Sequence, residues 1–136
     1  MLNPDRWLQR WQSFQKAYLR LEDAIKQVDA QPDNLLLQAG LIQTYEFTFE
    51  LAWKTMKDHL ELVGFTVSAP REVLRTAFQE EYIVAVDVWL KALDDRNKTA
   101  HAYDEEMAKL VVLDIVNTYF PVIKIFYAEF SQRTAK

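Results

Sequence analysis

Residues 34–64 read NLLLQAGLIQTYEFTFELAWKTMKDHLELVG, and within them Leu37, Leu41, Tyr45, Phe49, Ala52, Trp53, Met56, Leu60 and Val63 recur at steps of three and four before Gly64. Side chains so spaced share one face of an α-helix, and a glycine just past the last of them suits the residue that closes it. The stretch predicts a helix of about eight turns. Strict two-residue alternation is absent over any useful length of the chain, so a sheet is not expected.

The same spacing extends to both sides. Upstream, Asn3 is placed to cap a helix with Pro4 at its first position, and Trp7, Trp11, Phe14, Tyr18, Leu21, Ile25 and Val28 form its apolar face. Residues 29–34 (DAQPDN) break that period with a proline and a capping acid. Downstream, residues 65–70 read as a loop, with Ser68 or Ala69 ahead of Pro70 at a helix start, and Val73, Leu74, Ala77 and Phe78 form a shorter face. Tyr82, Ile83, Val86, Trp89, Leu90 and Leu93 predict a further helix. A last long run from Asp104 carries Met107, Leu110, Val111, Ile115, Tyr119, Val122, Ile123, Phe126 and Phe130, with a kink expected at Pro121. The expected fold is all-α: an antiparallel up-and-down bundle of four main helices plus a short extra one, in a single domain over 1–136.

Composition excludes several classes. The 136 residues include no Cys, so disulfides, thiolate metal sites and Cys nucleophiles are ruled out, and a cytoplasmic setting is the expectation. The N-terminus lacks the order of a signal peptide, and no apolar run approaches a membrane span, so no membrane role is expected. A net charge of −4 and a pI near 5.2 argue against a broad surface for DNA. The only glycines, Gly40 and Gly64, make no phosphate-cradling loop, and no nucleotide cofactor is implied.

The chemistry concentrates in residues 94–106 (DDRNKTAHAYDEE). Arg96 offers a planar fork for a phosphate or carboxylate, and the imidazole of His101 titrates near neutral pH. On an unbroken helix, five residues separate them by roughly 140°, so they converge only if the helix ends between them. The acids at Asp104, Glu105 and Glu106 suit the restart of a helix by its dipole. The plainer alternative is a solvated turn in which Arg96 pairs with Asp94 or Asp95. His59, between Asp58 and Leu60 on the polar side of the long helix, reads as structural. Glu46 and Glu50, one turn apart, form a carboxylate pair, yet no nearby His completes a metal site. No metal is expected.

The segment Arg96-Asn97-Lys98-Thr99-Ala100-His101-Ala102-Tyr103 resembles the Arg-x4-6-His motif of the HEPN superfamily. With residues 45–54 (YEFTFELAWK), Gly64 and residues 69–78 (APREVLRTAF), the chain resembles the branch called nucleotidyltransferase substrate-binding proteins over nearly its full length. The resemblance implies a helical homodimer that acts as a metal-independent endoribonuclease toxin, with a minimal nucleotidyltransferase as its antitoxin. It further implies that Arg96 binds the scissile phosphate, His101 is the general acid or base, and Asn97 orients the reacting groups. Tyr103 is the implied acceptor of AMP from the partner. Lys98, Arg71 and Arg75 are candidate RNA contacts. Related motifs often carry hydroxyl residues where this chain has Ala100 and Ala102. The older family name implies the alternative, a non-catalytic subunit that binds substrate for the nucleotidyltransferase.

Overall fold

The computed structural model describes residues 5–96 and 104–134, and these fold into five helices with no strand among them. They are α1 (Arg6–Ala30), α2 (Leu35–Leu62), α3 (Pro70–Gln79), α4 (Val86–Asp94) and α5 (Glu105–Thr134). Three are long and two short. Asn3 and Pro4 lie outside the described residues, and Asp5 occupies the N-cap position of α1.

Local chemistry sets the boundaries. The cap of α2 is Asn34, not the neighbouring acid Asp33: its side chain accepts from the Leu37 N–H at 3.0 Å. At the other end Gly64 takes a φ of 107°, and the Gly64 and Phe65 N–H groups donate to the Glu61 and Leu60 carbonyls. Pro70 opens α3 at its first position after Ala69, and Glu72 reaches back to the Ser68 N–H at 2.9 Å. The helix expected from Tyr82 begins instead at Val86. Glu81 and Ala85 adopt left-handed backbone (φ 64° and 53°) that no α-helix accommodates, although Tyr82 and Ile83 between them are buried as their spacing required.

The last helix departs from regular geometry before its proline. Residues Ile115–Tyr119 form a π-turn in which the Phe120 N–H donates to the Ile115 carbonyl. Pro121 has no N–H to give the preceding turn, and widening that turn relieves the ring. This helix also corrects the expectation about apolar runs: it alone among the described residues is long and apolar enough by length and composition to cross a membrane, with a window of mean hydropathy 1.5. Asp114 and Lys124 interrupt the apolar run within it. Its inner side, Ile115, Tyr119, Ile123, Phe126 and Phe130, is buried in the bundle.

The core is largely aromatic. Trp11, Phe14 and Tyr18 of α1, Tyr45 and Phe49 of α2 and Trp89 of α4 close around those α5 side chains. Phe130 gathers α1, α2 and the segment after α3: its ring lies 6.0 Å from Trp7, 5.4 Å from Trp11, 5.4 Å from His59 and 5.4 Å from Tyr82. His59 Nδ1 shares a hydrogen bond with the Tyr82 hydroxyl, whose pKa burial pushes up to about 12, so the phenol is placed to donate. Burial first, and the Arg133 guanidinium second, lower the pKa of His59. Its role here is structural. Nearby, the buried Asp58 carboxylate is met by Arg10 at 3.1 Å, tying α2 to α1.

Candidate functional site

The C-terminal end of α4 carries Asp94 and Asp95, and both are tied to other helices. Asp94 pairs with Arg71 of α3. Asp95 accepts from Lys91 Nζ at 3.0 Å and from the Tyr119 hydroxyl, while Lys91 also donates to that hydroxyl at 3.0 Å. Tyr119 lies in the π-turn of α5, and its ring stacks on Tyr45 of α2 at 5.7 Å. Burial raises its pKa, helped by its bond to Asp95; the bonds to Tyr119 and then Asp95 raise that of Lys91. One tyrosine thus joins α5 to α4 by its hydroxyl and to α2 by its ring, immediately before Arg96.

Arg96 follows with about half of its side chain exposed (51%) and with Glu50 Oε2 at 3.7 Å, an ion pair too long for a hydrogen bond. Glu50 is itself oriented by Lys54 at 3.2 Å and the Trp53 indole N–H at 3.1 Å. The guanidinium borders a solvent-open cleft of about 530 Å³ between α1 and α2, lined also by Arg20, Gln43, Glu46, Phe47 and Glu50. A cation on the rim of such a cleft can hold a phosphate or carboxylate that enters from solvent.

Past the motif, Asp104 caps α5 by accepting from the Glu106 and Met107 N–H groups at 2.9 and 3.2 Å. Exposed Glu105 and Glu106 fill the first turn, as the dipole favours. The expected restart is therefore present. Asn97, Lys98, His101 and Tyr103 lie outside the described residues.

The remaining expectations divide. Of the two acids offered as partners for Arg96, Asp94 is taken by Arg71. Arg71 and exposed Arg75 do not line the cleft beside Arg96. Glu46 and Glu50 do line it, Glu50 as a partner of cations. No group of three or more His, Asp or Glu side chains is placed to share a metal ion among the described residues. Tyr45, Phe49 and Trp53 are core residues, but Phe47 stands 58% exposed in the cleft. Sequence reasoning missed Lys91, and it placed Tyr119 on the apolar face of the last helix without its hydroxyl's role. The available signals were the four-residue spacing from Lys91 to Asp95 and the polar tip of Tyr119 on an otherwise apolar face.

Residues 9–132 match the family model described as nucleotidyltransferase substrate binding protein like. The chain belongs to that family. A relative from Haemophilus influenzae, described as a probable ribonuclease HepT, is 32% identical over 112 residues, which cover 73% of this chain and 77% of the relative. A solved structure from the same organism, described as the fold of a substrate-binding domain of a nucleotidyltransferase, superposes with a TM-score of 0.76 at 26% identity. The match covers 88% of this chain and 97% of that one. The family assignment agrees with the resemblance carried by the Arg96 motif and by residues 45–54 and 69–78.

Proposed function

We propose that this protein is an endoribonuclease toxin of the HEPN type, cutting RNA without a metal ion and silenced when a partner nucleotidyltransferase adds AMP to Tyr103. The observation that carries this reading is Arg96, half exposed on the rim of an open cleft and directly after an aspartate fixed from two helices. The likeness to a probable ribonuclease supports it. In the reaction, Arg96 neutralises the charge that builds on the scissile phosphate. His101 takes the proton of the 2′-hydroxyl, whose oxygen attacks phosphorus, and the 5′-oxygen leaves as a hydroxyl after protonation. The products are a 2′,3′-cyclic phosphate and a free 5′-hydroxyl.

One chain supplies a single motif imidazole, so the second proton transfer is assigned to the same motif of a second copy. A surface for that copy follows the motif in sequence: Met107, Leu110 and Leu113 on the first turns of α5 are 39%, 59% and 55% exposed. AMP on Tyr103, two residues past His101, sets an anion and a base where the RNA phosphate has to sit.

The test is cleavage of RNA by purified protein in EDTA. Cutting is expected to persist and to fall about a hundredfold or more in His101→Ala or Arg96→Ala. Loss of cutting in chelator, or normal cutting by His101→Ala, overturns the mechanism. Tyr103→Phe is expected to cut RNA and to gain no AMP mass from the partner with ATP and Mg²⁺; AMP on another residue refutes that assignment. The description of the solved relative as a substrate-binding domain favours a second reading, a non-catalytic subunit, which a wild-type protein that cuts no RNA would select.

A further inference from the structure

We infer that the cleft beside Arg96 is a nucleobase subsite in which Phe47 stacks a base of the RNA next to the cut and Glu46 reads that base's edge. The inference rests on the ribonuclease reading for its substrate and on the cleft for its geometry. Residues 43, 46, 47 and 50 fall on one side of α2, where a core-facing reading gives the polar set Gln43, Glu46 and Glu50 but offers no reason for a phenylalanine. Phe47 is nevertheless there, 58% exposed, in a cleft that Arg20 of α1 and Arg96 also line.

A lone exposed apolar residue is ordinary on a protein surface. Its setting is not. Single-stranded RNA is recognised by an aromatic face for the base, side chains that hydrogen-bond its edge, and cations for the flanking phosphates. All three are present in one cleft of about 530 Å³. A second copy of the chain is a poorer occupant, because the cleft is lined by charged and amide groups while an apolar row stands free at Met107, Leu110 and Leu113.

The acids set the selectivity. Glu50 already faces Arg96 and Lys54, whereas Glu46, half-buried in the same wall, makes no ion pair with a described residue. A carboxylate accepts from the amino groups of cytosine, adenine or guanine and repels the carbonyl oxygens that dominate the uracil edge. Two arginines offset by two glutamates also give weak attraction for a bare phosphate chain, so the cleft suits reading a base better than tracking a backbone.

The experiment uses the full chain and short labelled RNAs that differ only in the base next to the mapped cut, in cleavable form and in a fully 2′-O-methylated form that reports binding alone. Phe47→Ala is expected to weaken binding and raise KM roughly tenfold or more, Phe47→Trp to restore both, and Phe47→Leu to restore neither. Glu46→Gln is expected to narrow the preference for amino-bearing bases over uracil. Wild-type binding by Phe47→Leu overturns the subsite, as does a fall of Phe47→Ala to monomer mass by light scattering. Binding that depends on Phe47 without any cutting leaves the subsite standing and refutes the ribonuclease reading. Cutting with binding indifferent to Phe47 does the reverse.

Discussion

Replacing Tyr119 by Phe removes one oxygen and leaves the ring stacked on Tyr45, so the change isolates the hydroxyl that bridges Asp95 and Lys91. Hydrogen bonds to charged partners contribute about 1.5–3 kcal/mol each when well sheltered. Two facts reduce the sum here: Lys91 is 55% exposed, and it keeps its own bond to Asp95 at 3.0 Å. The net loss is therefore about 1–2 kcal/mol, most of it from the bond to Asp95, whose side chain is only 16% exposed. Urea unfolding of wild type, Tyr119→Phe, Asp95→Asn and the double variant gives the coupling directly. A coupling of about 1 kcal/mol is expected, with a melting point lower by a few degrees in Tyr119→Phe. Coupling below about 0.3 kcal/mol would refute the bridge, because it would mean that the two groups act independently. If the bridge stands, the same variant is expected to cut RNA several-fold more slowly, since Arg96 follows the residue that the hydroxyl holds.

Two further outcomes follow from the fold. Asn34→Ala removes the side-chain acceptor at the start of α2 and is expected to cost about 1 kcal/mol in urea unfolding, while Asp33→Ala leaves stability unchanged. His59 has a pKa lowered from the ordinary 6.5, so the folded chain favours its neutral ring: its contribution is complete above that value and declines as pH falls below it. The melting point is expected to drop between pH 7.5 and pH 5.5, and the drop to be smaller in His59→Gln; an equal drop in both would assign it to other groups.

The long elements were legible because burial of one face imposes a period that survives in sequence, and because Gly64 and Pro70 mark a helix end and a helix start by backbone chemistry alone. The start of α4 was not, since Tyr82 and Ile83 keep helical spacing while the backbone at Glu81 and Ala85 turns left-handed without a glycine to announce it. Holding two such residues costs roughly 1–2 kcal/mol each, supplied by the burial of the pair between them. At the site, the motif singled out Arg96, but its surroundings come from residues tens of positions away. Arg71 and Tyr119 meet the end of α4 only through the packing of α3 and α5, and no local pattern encodes that meeting; Lys91 alone is local, one turn before Asp95. Glu50 was visible as an acid, but its guanidinium partner, far along the chain, was not.

The aromatic meeting point at Phe130 bears on how the chain is made. A ribosome releases α1 and α2 early, and those two helices can pair as soon as both have emerged. Trp7, Trp11, His59 and Tyr82, however, wait for a ring that is joined long after all four. Until then the nascent protein displays a large apolar face, and Arg96 has left the peptidyl transferase centre before the fold that steadies it can close. The packing that steadies the end of α4 therefore closes only once Phe130 has been joined, and a chain that stops short of it is expected to be taken by chaperones and proteases.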